Sequence, residues 1–399
     1  MSPSTKLNII STRGNFILGL TKPTLGWLRV ALALMVVDFH YGFFYGHIGP
    51  LLQRHVGPLA WIHDGMLAVF GFFILSGYLV ADMIERRYPL GGAKDLGHFL
   101  LGRYARIYPL YWIVILSFGL LWASPHLTLW KIISNILLLP YGFWAFFMNH
   151  QQVGSLTSKL ALAPAWTLSL DLVFYLIGAI LINTRRYLFF CTAICIIFIT
   201  IAWWMAPSGI GSAQYKWWRV QFYTSVEPNL LAFLLGLIIR LNSKYLPRSP
   251  WLALAALLVL IYTAYIPVGL GYFGDYCFYI LALVWLVHHL GGAGRGPHEA
   301  FLGNWTFSIY LIHGPIESLV IDWGIHKFVH LEMISLLVSI VLATALAILV
   351  EPPLEKLRHA WLKHSFTTDN WEKTRWDFMA ASICVFCAVS TLWYFIHGV

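Results

Sequence analysis

Arg29 and His40 stand eleven residues apart inside one apolar run, 25–45. On a helix an eleven-residue step is three turns plus about 20°, so the two share a stripe and lie about 16 Å apart along the axis. An imidazole exchanges protons near neutral pH, and a guanidinium holds a fixed charge behind a planar fork of donors. Each costs on the order of several kcal/mol in a membrane-length apolar segment unless it faces a polar interior. The pair therefore marks a functional site; the competing account is a hydrogen-bonded pair that stabilises a bundle. Arg103 and Arg106, three residues apart, share a helix face. Two guanidiniums there suit an anion such as a phosphate, or else they anchor the helix at a cytoplasmic boundary.

The elements that position these residues are long and apolar. Of 399 residues 59% are hydrophobic, 17% aromatic and only 11% charged, with mean hydropathy +0.72. That composition excludes a soluble globular domain and implies an all-α polytopic transmembrane bundle. Runs long enough to span fall at 25–45, 65–84, 101–123, 164–183, 187–206, 228–240, 250–268, 272–290, 301–321, 331–350 and 376–397, the sixth borrowing flanking residues. The stretch 130–148 is apolar too, but Pro140 and Gly142 interrupt it.

Loop charge decides how that stretch is read, because cytoplasmic loops collect Lys and Arg. With 130–148 non-spanning and the amino terminus inside, 19 of the 26 Lys and Arg residues lie on the cytoplasmic side and 6 outside, Arg29 being embedded. With 130–148 spanning, the split falls to 12 against 13. The expectation is a re-entrant or non-spanning hairpin at 130–148, a cytoplasmic amino terminus and a carboxyl terminus outside. The chain then divides into a basic tail, 1–24, a membrane domain, 25–360, and a linker with an additional helix, 361–399.

The formal net charge of +9 and pI of about 9.3 follow from these inner loops, so no nucleic-acid partner is expected. Cys191, Cys195, Cys277, Cys384 and Cys387 lie in or near apolar spans without paired zinc spacing, which reads as packing rather than a metal site. The amino terminus shows no short apolar core before a small-residue cleavage site, so the first span is expected to stay as an anchor.

Read in order, six motifs form a series: Leu28-Arg29, ten residues and His40; Ala68-Val-Phe-Gly-Phe-Phe-Ile-Leu-Ser76-Gly77-Tyr78; Gly102-Arg103-Tyr-Ala-Arg106-Ile-Tyr-Pro109; Ala165-Trp166-Thr-Leu-Ser169-Leu-Asp171-Leu-Val-Phe174-Tyr175; Leu302-Gly303-Asn-Trp-Thr-Phe-Ser308-Ile-Tyr310-Leu-Ile-His313; and Glu351-Pro352-Pro353. Over about residues 20–360 the series resembles the acyltransferase-3 family of bacterial membrane O-acyltransferases, which modify exported polysaccharides, lipopolysaccharide and glucans. The resemblance implies about ten core spans, leaving the eleventh as an addition. It also implies a multi-pass protein of the cell membrane, the inner membrane in a Gram-negative cell.

The resemblance further implies that His40 is the general base, with Arg29 beside the same reaction path. An acceptor hydroxyl attacks a thioester only when a base near neutral pKa takes its proton. The span between Arg29 and His40 assigns Arg29 to the donor's polar portion rather than to the oxyanion. Arg103 and Arg106 then hold the phosphates of cytoplasmic acyl-CoA, acetyl-CoA in the commonest case, used as a co-substrate with no permanently bound cofactor. The acceptor is a hydroxyl of a carbohydrate or glycolipid.

Asp171 stands where the family has glutamate, one methylene shorter, and either serves the site or pairs with another span. Ser76 offers an acyl relay, or with Gly77 a close helix crossing. Tyr310 and His313 line the same interior, with Gly314-Pro315 expected to disturb the helix before Glu317. His47 belongs to an outer acceptor entrance or to a solvated loop. The rival class is a transporter that uses intramembrane Arg, His and Asp as a substrate or proton path. No repeated hydropathy pattern of the kind transporters are built from separates the two halves.

Overall fold

The computed structural model describes residues 24–41, 65–88, 90–119, 162, 164–206, 222–265, 271–292, 298–322 and 331–362, with shorter pieces at 133, 135–138, 214, 218, 376–377, 379–385 and 387. His47, residues 1–23 of the basic tail, most of 130–148 and the end of the last apolar run lie outside the described residues.

Among the described residues every regular element is helical. Helices α1 (Leu25–Tyr41), α2 (Gly65–Arg87) and α3 (Ala93–Val114, continued by a π turn, Ile115–Gly119) come first. They are followed by α4 (Ala165–Ile182), α5 (Arg185–Trp204), α6 (Val226–Leu241), α7 (Pro250–Tyr265), α8 (Gly271–Gly291) and α9 (Glu299–Asp322). The series closes with α10 (Leu331–Ala345), a π turn (Leu346–Val350) and α11 (Glu351–Leu362). Among the described residues, five stretches are long and apolar enough to cross a membrane: Gly65–Arg87, Ala93–Phe118, Ala165–Ile182, Arg185–Trp204 and Met333–Ala360. A helix satisfies its own backbone groups, which is what a chain this apolar needs in lipid. The π turn before α11 precedes Pro352 and Pro353, which lack the N–H for an i−4 bond.

Pro315 does not interrupt α9. That helix runs unbroken from Glu299 to Asp322, contrary to the expectation from Gly314-Pro315. Neighbouring helices re-satisfy what one missing N–H leaves open, so a proline inside a packed membrane helix need not break it.

Contacts at both ends of helix pairs show how the chain is wound. Gly26 N–H donates to Glu299 Oε1 at 3.0 Å, and fifteen residues on, the Tyr41 hydroxyl donates to the His313 carbonyl at 2.7 Å. The sequence offset is 273 at one end and 272 at the other, so α1 and α9 run parallel and in register. Glu299 thereby caps the first turn of α1, whose leading N–H groups have no partner within the helix. Helices α2 and α6 are also parallel. Gly77 lies against the Phe233 carbonyl, Gly236 against the Ile74 carbonyl, and Arg240 reaches Asp82 at 2.9 Å and Glu85 at 2.7 Å.

In contrast, α3 and α4 are antiparallel: Asn183 Nδ2 donates to the Leu90 carbonyl at 3.4 Å, and the Tyr104 hydroxyl to that of Leu172, also at 3.4 Å. The stretch 120–164 therefore ends at the face where it began. Part of it lies along α3, where Tyr111 and Trp112 donate to the carbonyls of Asn135 and Ile136 at 2.6 and 2.9 Å, and Tyr108 donates to that of Leu137. These are the last carbonyls of a short turn that stops at buried Leu138, whose φ is 53°. A helix end in an apolar setting needs such donors. Residues 376–387 pack along α5, tied by Arg186 to Asp377 at 2.8 Å and by Cys191 Sγ to Cys387 Sγ at 3.7 Å. Among the described residues no group of three or more His, Cys, Asp or Glu is placed to hold a metal ion.

Candidate active site

A cavity of about 250 Å³ opens between α1, α2, α3, α4 and α9. Its wall is mostly apolar, with Phe72, Phe73, Leu79, Ile107 and Leu168 among its side chains. Set into that wall are Arg29, Ser76, Arg103, Arg106, Asp171 and Tyr310, six of the eight residues expected from the sequence. His40 and His313 lie beyond the wall that Tyr310 forms.

At the Arg29 end, the guanidinium of Arg29 lies against α9 at Gly303, where an added methyl would come within 3.2 Å of Nη1. Glycine there leaves the space that the cation occupies. Glu299, one turn earlier on α9, supplies the principal attractive charge. The two arginines of α3 differ in their commitments. Arg106 is held on both arms of its fork, Nη1 by Glu351 Oε2 at 2.5 Å and Nη2 by Asn304 Oδ1 at 2.7 Å, and it stacks over Phe307 at 5.5 Å. The Glu351 side chain is 2% exposed and that of Arg106 25%, so the carboxylate is the buried partner of a part-buried ion pair. Arg103 by contrast keeps a buried Nε without a protein partner.

Asp171 is met from two sides. Ser76 Oγ on α2 donates to Oδ1 at 2.6 Å, and Tyr175, one turn along α4, donates to Oδ2 at 2.5 Å. The shorter acid therefore has partners within its reach, one of them on another span, and Arg103 contributes a favourable charge nearby. The Ser76-Gly77 pair divides its work: Gly77 makes the close crossing with α6 while Ser76 turns into the cavity.

The far wall is a polar bridge. The Tyr310 hydroxyl donates to the Pro164 carbonyl at 3.0 Å and is hydrogen-bonded to Thr167 Oγ1, while Thr167 also reaches Pro164. Beyond it, buried His313 presents its ring 5.9 Å from that of Tyr310 and 5.0 Å from that of His40. The His40 side chain remains exposed. Parallel packing of α1 and α9 carries the spacing of Arg29 and His40 onto Gly303 and His313, ten residues and about 15 Å apart. One face of the two helices thus runs from a cationic end to a two-histidine end.

Tyr175, Thr167, Glu299, Asn304 and Glu351 complete this arrangement without having been singled out as site residues. For Tyr175 the signal was its position four residues after Asp171, on the same helix face. Glu351 is the acid at the end of an apolar run, where an unpaired carboxylate is costly. Glu299 carries no comparable signal, because its partner lies 273 residues away.

The site thus brings together a cationic pocket, a hydrogen-bonded carboxylate and a histidine pair. Neither a curated protein nor a solved structure matches the chain. A family model for an acyltransferase domain matches residues 23–351, which include every residue of the cavity and both histidines. The chain accordingly belongs to the acyltransferase-3 family, and it is a multi-pass membrane acyltransferase.

Proposed function

We propose that the protein moves an acyl group, acetyl in the first instance, from acyl-CoA at the cytoplasmic face to a hydroxyl of a carbohydrate or glycolipid acceptor. The observation that carries this reading is the convergence of Arg29 and the partner-free Nε of Arg103 on one largely apolar cavity, with His313 and then His40 on the other side of its Tyr310 wall. Guanidiniums facing a cavity suit phosphate oxygens, and an apolar channel suits the narrow pantetheine arm. On this reading Arg106 holds α3 to α9 and α11, while Arg103 and Arg29 face the donor. Loop charge sets the Arg29 end of the bundle inside, with about ten core spans and the amino terminus cytoplasmic.

His40 acts as the general base. The acceptor oxygen attacks the thioester carbonyl as its proton passes to the His40 ring, and the tetrahedral oxyanion collapses with loss of the thiolate. The thiolate then takes that proton from His40. A donor such as a ring N–H near the oxyanion lowers the barrier. Asp171 with Ser76 and Tyr175 stiffens the wall through which the thioester passes.

The test is transfer of labelled acetyl from acetyl-CoA to envelope glycan of the source cells by purified protein in lipid nanodiscs. Activity should fall by about 10²–10⁴-fold in His40→Ala while acetyl-CoA still binds. A well-folded His40→Ala protein with wild-type transfer would overturn the mechanism.

A further inference from the structure

His313 sits in the middle of α9 with no exposed surface, and its two ring nitrogens have different surroundings. Nδ1 lies 3.3 Å from the Ile309 carbonyl, one turn back. A carbonyl oxygen only accepts, so Nδ1 carries the hydrogen and Nε2 is left as a bare acceptor. That Nε2 is buried and has no hydrogen-bond partner. A buried acceptor without a donor is costly, so such an atom in a native structure calls for a functional account.

The donors around it can be sorted. The Tyr41 hydroxyl, on a ring 6.3 Å away, is taken by the His313 carbonyl and by Ser339 Oγ, each at 2.7 Å. The Tyr310 hydroxyl, on a ring 5.9 Å away, is taken by Pro164 and Thr167. Glu317, one turn along α9 and near Tyr41, is an acceptor when ionised. The nearest ring among the described neighbours is that of His40, 5.0 Å away and tilted by 43°. Imidazoles with centroids 5.0 Å apart come within hydrogen-bonding reach when a nitrogen of each faces the other, which here calls for a turn of the exposed His40 ring about χ2, His313 being held at Nδ1.

We infer that His313 is the positioning partner of His40: its bare Nε2 accepts the N–H of the His40 ring and so fixes which nitrogen of His40 is left to take the acceptor's proton. The inference rests on the reading of His40 as general base. During transfer the acceptor proton moves to the free nitrogen of His40 as the new C–O bond forms. The opposite N–H stays on His40, its bond to His313 strengthened by the positive charge. When the C–S bond breaks, the proton taken from the acceptor goes to the thiolate, and both histidines return to their starting tautomers. The part is that of the group orienting a catalytic histidine in a triad, played by a neutral imidazole where the surroundings are apolar.

Two amides separate this role from packing. In His313→Gln the side-chain oxygen can stand where Nε2 stood, whereas in His313→Asn the shorter amide reaches only the Nδ1 position. The measurement is kcat and KM for acetyl-CoA with envelope glycan of the source cells as acceptor, on full-length protein in nanodiscs. His313→Asn should lose about 100-fold in kcat with KM for acetyl-CoA unchanged, and His313→Gln should recover at least a third of wild-type kcat. A double variant, His40→Ala with His313→Asn, should be no slower than His40→Ala alone, because the two act as one unit. Equal kcat in the Gln and Asn variants, or an additive loss in the double variant, would overturn the inference while leaving His40 as base. Wild-type transfer by His40→Ala would instead remove the reading on which it rests.

Discussion

Arg103 and Arg106 look alike in sequence and differ in every contact that matters. Arg106 neutralises Glu351, so Arg106→Ala leaves a carboxylate buried and unpaired, a change worth about 3–5 kcal/mol. The expected result is a lower melting temperature in detergent, partly restored by Arg106→Ala combined with Glu351→Ala. Arg103→Ala should instead weaken acetyl-CoA binding with little effect on melting, and Arg103→Lys should recover only part, having lost the planar fork. Binding and melting measured side by side check both, and a shared phenotype would merge the roles. Spacing placed both arginines on one helix face, and the structure puts both beside the cavity. What spacing could not carry is the identity of the partner, since Glu351 lies 245 residues beyond Arg106. The same limit hid the Nε2 of His313, whose missing donor is a property of packing around α9.

Helices α2 and α6 meet through two glycines facing two carbonyls, Gly77 on Phe233 and Gly236 on Ile74. Backbone cannot swing aside as a side chain does, so a methyl at either place forces the helices apart. Gly77→Ala and Gly236→Ala should each cost about 1–3 kcal/mol, at the upper end because both obstacles are main chain. Thermal unfolding in detergent measures this, and Ser76, one residue from the crossing on the cavity side, gives a functional readout of the same displacement. The small Ser-Gly pair was legible as a helix crossing, and the apolar runs located most of the described helices to within a few residues. Loop charge gave an expectation for direction, and what packing adds is relative: α3 and α4 run antiparallel. Less legible was the end of a run. Helix α3 begins at Ala93, ahead of the apolar run at 101, because a helix extends through polar residues wherever Asp95 and its neighbours can face water.

For the molecule as a whole, parallel packing of α1 with α9 sets the cationic pocket and the histidine pair at different depths of one bundle. On the proposed reading the donor enters at the Arg29 end and the acceptor meets His40 at the other. In sealed vesicles of known orientation, acetyl-CoA should support transfer only from the cytoplasmic face and a membrane-impermeant glycan only from the opposite face. Efficient transfer with both confined to the cytoplasmic face would refute the arrangement. Such a path also has an electrical side. A passage wide enough for a thioester is wide enough for water, and a continuous water file conducts protons down the gradient that an energised membrane maintains. Between the pocket and the histidines stands the bridge of Tyr310, Thr167 and Pro164. Its hydroxyls point at one another and at a carbonyl, which leaves them poorly placed to pass a proton onward. Tyr310→Ala should therefore let an imposed pH difference across proteoliposomes decay faster than in wild type, measured with an entrapped pH dye in the absence of donor. Insulation, no less than chemistry, then constrains the residue at this position.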